Sequence, residues 1–430
     1  MEYSEALTKL GEFTRFGINL GLQRITSLLK ILGNPQEQLP IIHVGGTNGK
    51  GSTLAMLSSI LRESGYRVGT FTSPHLVSYC ERFAINGENI AEESFVLLLE
   101  EIRGALAQVR SETGETPTEF EVLTALAFLY LARAKVDFAL IEVGMGGDID
   151  STNVIKKPLL SIITNVSLDH LDYLGSTLRL IAQKKSGIIK PGCPILTASK
   201  DEEVLQVIRK KSGDLQAFLR EVQLEAKWER QEETSEGQFI TVQTLQHNYG
   251  RIYLPFWGDY QLENAATAMV AAEILQEQGW QISEEAIKQG LAKTKWPGRL
   301  EVIRRNPLIV LDGAHNPGGI QALSQWLGRK KQEVRRVFLV MGMLDDKDQM
   351  IAAHLLEPLV DMVIITKPKS SRAKHWEDLR KNFQGKIPVV VIESLTEALQ
   401  KAEQEARKDD LILITGSLYL IGEVKKVISK

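Results

Sequence analysis

The sequence predicts an α/β protein: an N-terminal P-loop-type, mostly parallel sheet with helices on both faces, and a smaller C-terminal α/β Rossmann-like domain. Apolar runs of strand length alternate with amphipathic helical segments along most of the chain. A glycine-rich turn joins the first strand to a helix, and a second strand–helix alternation runs from about residue 308 to the end. At 430 residues the chain is long for a single core, which favours two domains.

The glycine-rich turn lies within Ile41–Thr53, which reads IIHVGGTNGKGST. A buried strand is predicted at 41–44, and the apolar spacing from Thr53 onward predicts a helix. Backbone amides at a helix N-terminus together with a lysine bind phosphate. The groups predicted to do so belong to Thr47, Asn48, Gly49, Lys50, Gly51 and Ser52. The spacing departs from the usual phosphate loop, since the first expected glycine falls on Val44 and Ser52 comes one place late. A tight connection without a ligand is the alternative.

The other elements follow from periodicity and turn residues. Residues 4–32 predict one helix, which Gly33-Asn34-Pro35 ends. Further strands are predicted at 66–72, 137–143, 158–166 and 193–197, and helices at 92–111, 119–134, 177–187, 260–279 and 284–293. The segment from about 213 to 257 predicts a small antiparallel region. Trp296-Pro297-Gly298 predicts the connection between domains at 1–295 and 296–430. The second domain has predicted strands near 308–312, 335–341, 361–366, 388–392 and 410–415.

Composition excludes several classes of protein. The net charge of −3 gives no drive toward nucleic acid or an anionic membrane. The sequence shows no signal peptide and no apolar stretch long enough to span a bilayer. Cys80 and Cys193 are too few and too far apart for a disulfide framework. We therefore expect a cytoplasmic monomer that binds small molecules and has no nucleic-acid or membrane partner.

Two positions at strand ends indicate a metal and ligand site. Glu142 ends the buried-type strand 137–143, and nucleotide-binding enzymes hold magnesium with a carboxylate placed in this way. Ser73 lies in the loop after strand 66–72, at the carboxyl end of a strand, where open α/β sheets bind ligands.

Eleven segments, in order along nearly the whole chain, resemble the folylpolyglutamate synthases, including the bifunctional dihydrofolate synthases, of the Mur ligase superfamily. They include HVGGTNGKGS at 43–52, TSPHL at 72–76, IEVGMGGDIDSTNV at 141–154, LDHLDYLGSTL at 168–178 and DGAHNPGG at 312–319. The resemblance implies an ATP- and magnesium-dependent ligase that adds L-glutamate to the γ-carboxylate of folate through an acyl phosphate. It leaves open whether dihydropteroate is also a substrate.

The resemblance also implies roles for single residues. Ser73, Glu142 and His170 would bind two magnesium ions, and Lys50 would neutralise the transferring phosphoryl group. Lys185 matches a lysine that the family carries as a carbamate. Asn264, Arg299 and Asp312 would contact ATP across the cleft when the domains close.

Alternative interpretations remain for four residues. Lys184 and Lys185 could form a solvated helix face, and Lys184 replaces what is often a glutamate in the family. Arg82 could pair with a substrate carboxylate or, on the surface, with Glu81. His315 could belong to the active site or cap its own loop.

Two other functions would use the same loop. A Mur-type peptide ligase acting on another carboxylate is expected to need an additional N-terminal domain, and about forty residues precede the loop. A nucleotide-dependent switch would hydrolyse ATP without forming an amide.

Overall fold

The computed structural model describes residues 1–14 and 21–428. Its first sheet has the order β4-β3-β2-β5-β1-β6-β7-β8. These strands are β1 Ile41–Gly45, β2 Val68–Phe71, β3 Phe83–Ile85, β4 Glu88–Asn89, β5 Phe138–Glu142, β6 Leu160–Ile163, β7 Pro194–Thr197 and β8 Phe218–Glu221. The pairs from β2 to β8 are parallel, whereas β3 pairs antiparallel with β2 and β4. The central strands β1 and β5 are buried along their whole length, because helices cover both faces of the sheet.

Helices on the two faces form separate cores. One face carries α1 Tyr3–Thr14, α2 Gln23–Ile31, α4 Glu92–Thr113 and α5 Glu119–Arg133. The opposite face carries α3 Lys50–Glu63, α10 Tyr260–Glu277 and α11 Glu284–Ala292. Next to β6 and β7 lie α6 Leu171–Leu174, α7 Leu178–Lys185 and α8 Glu202–Asp214.

A small antiparallel sheet, in the order β11-β10-β9, packs on α10 and α11. Its strands are β9 Ala226–Glu233, β10 Gln238–Thr244 and β11 Asn248–Leu254. The antiparallel region is therefore narrower than the predicted 213–257, because β8 pairs parallel with β7 and is followed by the short helix α9, Val222–Glu225.

The third sheet has the order β12-β13-β17-β14-β15-β16 and is parallel except for β12. Its strands are β12 Glu301–Arg305, β13 Leu308–Leu311, β14 Val337–Met341, β15 Met362–Ile365, β16 Val389–Val391 and β17 Leu411–Thr415. Its helices are α12 Pro317–Lys330, α13 Gln349–Leu356, α14 Leu395–Glu405 and α15 Leu418–Ile428. The predicted fold class is confirmed. The edge strand β12 was not predicted, because its residues are largely polar and partly exposed. The domain boundary at 295/296 stays a prediction.

The prediction of one helix over 4–32 is wrong. The second helix begins only at Gln23, and Gly21 has φ +143°, a conformation that no helix contains, so a single helix over 4–32 is interrupted. The part of that prediction on 15–20 lies outside the described residues. Among the described residues, no helix is both long enough and apolar enough to cross a membrane.

Candidate active site

The glycine-rich loop connects β1 to α3 as predicted. Gly49 has φ +85°, and a Cβ added there would lie 2.4 Å from the Oδ1 atom of Asn264. Glycine is therefore required at this position both by the backbone and by the packing of α10 against the loop.

Two of the predicted phosphate-binding amides are already occupied. The backbone N–H of Thr47 donates to the carbonyl of Asn165 at 2.7 Å, and that of Asn48 donates to the Asn165 side chain at 2.9 Å. These two amides hold the loop against the end of β6, which narrows the predicted phosphate donors to those from Gly49 to Ser52. That segment opens α3, where the first amides lack an intrahelical acceptor.

Lys50 and Glu142 face each other beneath the loop. The Lys50 ammonium donates to the carbonyl of Thr47 at 3.2 Å and lies 3.9 Å from Glu142 Oε1. The Ser73 backbone N–H donates to Glu142 Oε2 at 3.1 Å. Burial raises the pKa of Glu142, and the charge of Lys50 opposes that rise. The structure thus brings Ser73, Lys50 and Glu142 together.

Lys185 is 5% exposed and donates to the carbonyl of Gly46 at 2.8 Å. Burial, reinforced by the charge of Lys50, lowers the pKa of Lys185 to about 7. The alternative of a solvated lysine pair is therefore wrong for Lys185. A solvated position describes Lys184 instead, whose ammonium pairs with Asp148 at 3.0 Å near the surface.

His170 lies close to the same ammonium groups. Burial lowers the pKa of its imidazole, and the charges of Lys347, Lys50 and Lys185 lower it further against the attraction of Asp169. The backbone of His170 is left-handed, with φ +50°.

The residues at the loop fit a magnesium ion. Mg²⁺ takes one or two carboxylates together with phosphate oxygens and water, and Glu142 is a buried carboxylate beside the loop. In the described part of the chain, no group of three or more His, Cys, Asp and Glu side chains is arranged to hold a metal. A metal site here would therefore depend on the hydroxyl of Ser73, on His170, on a modified Lys185 and on the nucleotide itself.

Of the residues predicted to contact ATP, Asn264 on α10 packs against the loop, and Asp312 of the third-sheet region lies beside the first turn of α10. The side chain of Asn264 donates to Gln261 and accepts from the hydroxyl of Thr53 at 3.5 Å. Asp312 is buried and accepts from the amides of Leu300 at 3.0 Å and Ala314 at 2.9 Å.

Tyr260, one turn before Asn264, donates its hydroxyl to Asp312 at 3.4 Å. Arg299 lies beside Asp312 and donates to the carbonyl of Gly298 at 3.2 Å. Tyr260 also lines a cleft of about 520 Å³ between α10, β9 and α12.

Arg82 does not form the predicted surface pair. Its Nε donates to His75 Nδ1 at 3.0 Å, and its guanidinium lies 5.4 Å from the centre of the Tyr79 ring. Glu81 instead accepts the backbone amides of 76–78. That alternative for Arg82 is therefore wrong.

His315 contacts its own loop through a bond of 2.8 Å between Nδ1 and the carbonyl of Gly313. Its Nε2 lies 4.0 Å from Asp169 Oδ2. The loop-capping alternative therefore has a contact in the structure, and His315 also faces the carboxylate that precedes His170.

The sequence reasoning missed a group of polar residues between the first and third sheets. Asp169 accepts from Lys347 at 2.7 Å and from Asn316 at 2.9 Å, and Asn316 also bonds to the side chain of Asn48. The sequence feature that could have indicated this group is the position of Lys347. It follows the carboxyl end of β14, where α/β sheets bind ligands.

Comparison with known proteins gives the family. The Mur ligase middle domain matches residues 44–272, and the Mur ligase, glutamate ligase domain matches 298–418. The dihydrofolate synthase/folylpolyglutamate synthase of Bacillus subtilis is 36% identical over 99% of this chain and 98% of its own length. The folylpolyglutamate synthase of Lacticaseibacillus casei is also 36% identical, over 100% of this chain and 99% of its own.

A solved structure of the Mycobacterium tuberculosis folylpolyglutamate synthase complexed with ADP is similar throughout. It superposes with a TM-score of 0.92 at 33% identity and covers 100% of this chain and 99% of its own. The chain therefore belongs to the folylpolyglutamate synthase/dihydrofolate synthase family of ATP-dependent ligases.

Proposed function

We propose that the protein adds L-glutamate to the γ-carboxylate of a folate, using ATP and magnesium. The observation that carries this proposal is the cluster at the phosphate loop, where Lys50, Glu142 and the buried Lys185 gather around the first turn of α3. Such a cluster suits phosphoryl transfer, in which positioning and charge neutralisation supply most of the catalysis.

The reaction has two displacements. A carboxylate oxygen of the folate attacks the γ-phosphorus of ATP, and the bond from that phosphorus to the β–γ bridging oxygen breaks to release ADP. The amine of glutamate then attacks the carbonyl carbon of the acyl phosphate, inorganic phosphate leaves, and the amine loses a proton. The amides from Gly49 to Ser52 and the ammonium of Lys50 would hold the phosphates during the first displacement.

Magnesium would neutralise charge on the phosphate oxygens. Glu142, Ser73 and His170 are the residues that would hold it, together with Lys185 as a carbamate. A lysine with a pKa of about 7 is neutral in a large fraction of molecules at physiological pH. The neutral amine would attack carbon dioxide, form an N–C bond and release one proton, which would leave an anionic carbamate.

The adenosine part of ATP would lie toward the third sheet. Asn264, Arg299 and Asp312 would contact it, and the cleft beside Tyr260 offers room for a base. Aromatic side chains and charged side chains of both signs line this cleft, including Trp228, Glu263 and Arg329.

We propose Arg82 as a partner of the folate carboxylate. It lies next to the loop that carries Ser73, and its Nε donates to His75, a neutral imidazole. Burial lowers the pKa of His75 to about 3, so this imidazole does not compete for an anion. We also propose a cytoplasmic location, which the free thiols of Cys80 and Cys193 support.

The test is product analysis. Purified protein is incubated with ATP, magnesium and labelled glutamate, with dihydropteroate in one reaction and a reduced folate in another. A labelled amide product that requires ATP supports the proposal, and the tube in which it forms identifies the acceptor. ATP hydrolysis without dependence on an amino acid, and without a new amide bond, would refute it.

A further inference from the structure

A cluster of four polar side chains, which we call the Asp169 cluster, joins the third sheet to the phosphate loop. It consists of Asn48, Asp169, Asn316 and Lys347. Lys347 lies beyond β14 and Asn316 immediately precedes α12, so both come from the third-sheet region. They reach Asp169, which lies 147 residues from Asn316 and 178 residues from Lys347 along the chain.

The ion pair in this cluster is shielded from water. The side chain of Lys347 is 6% exposed and that of Asp169 is 10% exposed, and their charged atoms are 2.7 Å apart. Such a pair differs from an exposed ion pair, because removing one partner leaves the other charge in a poorly hydrated place; without Asp169, Lys347 would keep only the more distant carboxylate of Asp346, at 3.8 Å. Lys347 and Asp169 are therefore expected to favour contact between the two regions strongly.

The same carboxylate also fixes the backbone at His170. Asp169 Oδ1 accepts the His170 N–H at 2.9 Å and the Lys347 ammonium at 2.7 Å. His170 is held in a left-handed conformation, which residues other than glycine adopt only when their surroundings stabilise it. The orientation of this carboxylate therefore links the position of Lys347 to that of the His170 side chain.

Asn316 connects the cluster to the phosphate loop. Its Nδ2 donates to Asp169 Oδ2 at 2.9 Å and to Asn48 Oδ1 at 3.0 Å. Its Oδ1 accepts from Asn48 Nδ2 at 3.2 Å and from the Gly319 amide at 2.8 Å, which caps α12. One side chain thus ties the start of α12 to both the loop and Asp169.

We propose that Asp169 is a positioning residue that couples docking of the C-terminal region to the geometry of the phosphate loop. When Lys347 and Asn316 are bound to it, Asp169 holds His170 and, through Asn316, Asn48 in place. When they leave, the carboxylate is free to rotate and hydrate, and the two sides of the active site lose their shared contact. The effect on catalysis rests on the proposed function, whereas the effect on domain docking does not.

The experiment is a double-mutant cycle on the full-length protein with Asp169→Asn, Lys347→Met and both together. We expect each single variant to lower kcat for amide formation by about 10- to 100-fold while the Kd for a non-hydrolysable ATP analogue changes less than about 3-fold. Because both residues act through one contact, the double variant should be no slower than the slower single variant. Lys347→Arg, which keeps the charge, should recover part of the lost kcat.

Small-angle X-ray scattering measures the compactness of the protein and therefore tests docking of the C-terminal region independently of catalysis. Wild-type protein with the ATP analogue should be more compact than Lys347→Met under the same conditions. The matched control is the pair of Lys367 and Glu393, which are also 2.7 Å apart but 43% and 67% exposed. Lys367→Met, Glu393→Gln and their double variant should leave both kcat and the radius of gyration unchanged.

The outcomes separate the two proposals. Multiplicative losses in the double variant, wild-type kcat in Lys347→Met, or equal compaction of the two proteins would overturn the role of Asp169. If wild-type protein forms no amide but only Lys347→Met loses compaction, the proposed function fails and the docking role stands. Thermal unfolding identifies a variant that does not fold. In that case the scattering and the kcat of Lys347→Arg test the role proposed for Asp169.

Discussion

Replacing Lys185 by methionine should make the protein more stable while abolishing its activity. Lys185 is buried against the carbonyl of Gly46 and close to the charge of Lys50, and its pKa falls from 10.5 to about 7. The folded state therefore binds fewer protons at this site than the unfolded chain does. Methionine has a similar length and carries no charge that burial could penalise.

The magnitude follows from the pKa. A drop from 10.5 to about 7 destabilises the folded protein by about 5 kcal/mol below pH 7, because each pKa unit corresponds to about 1.4 kcal/mol. The penalty is about 4 kcal/mol at pH 7.5 and about 2 kcal/mol at pH 9, and it disappears above the unfolded pKa. Methionine loses the hydrogen bond to Gly46, which contributes about 1–2 kcal/mol. The variant should therefore gain about 2–3 kcal/mol at pH 7.5 and at most about 1 kcal/mol at pH 9.

The assay is urea unfolding followed by tryptophan fluorescence, at several pH values from 6.5 to 9.5 in buffer free of carbon dioxide, so that the amine stays unmodified. Lys184→Met is the matched control, because the ammonium of Lys184 is near the surface. The free energy of unfolding of this variant should differ from that of wild type by less than about 0.5 kcal/mol. The reasoning is refuted if Lys185→Met is less stable than wild type at pH 7.5, or if its advantage does not shrink as the pH rises. Normal turnover by this variant would refute the proposed carbamate.

Three further predictions concern the site. Glu142→Gln should abolish magnesium-dependent turnover and leave the thermal midpoint nearly unchanged or raised, because burial disfavours the native carboxylate; product formation at the normal rate would contradict the metal assignment. Gly49→Ala should weaken ATP binding at least about 10-fold by displacing Asn264, as measured by calorimetry. Its control is Gly65→Ala, which has a similar positive φ but open space around it, and equal effects of the two would refute the packing argument. Arg82→Gln should raise the KM for folate about 10-fold or more and leave the KM for ATP unchanged; an unchanged KM for folate would exclude Arg82 from that site.

Local sequence patterns determined the architecture and the position of the nucleotide loop. The loop at 41–53 was predictable because a strand, a glycine turn and a helix are each encoded by neighbouring residues. Strands β1, β5 and β6 were predictable because burial on both faces demands continuous apolar runs. The helix break at Gly21 was missed because a single glycine within a helical apolar pattern is a weak stop signal, and its positive φ is visible only in the structure.

Only the tertiary structure decided which of these polar groups is buried and what it contacts. Lys184 and Lys185 are adjacent in sequence, yet packing of α7 against the loop buries one and exposes the other. From the sequence, the backbone amides of Thr47 and Asn48 were predicted to bind phosphate. In the folded protein they donate instead to Asn165, which follows β6. Periodicity encodes which residues lie on one face of an element. Hydration, pKa and long-range partners are set instead by elements that meet far apart along the chain.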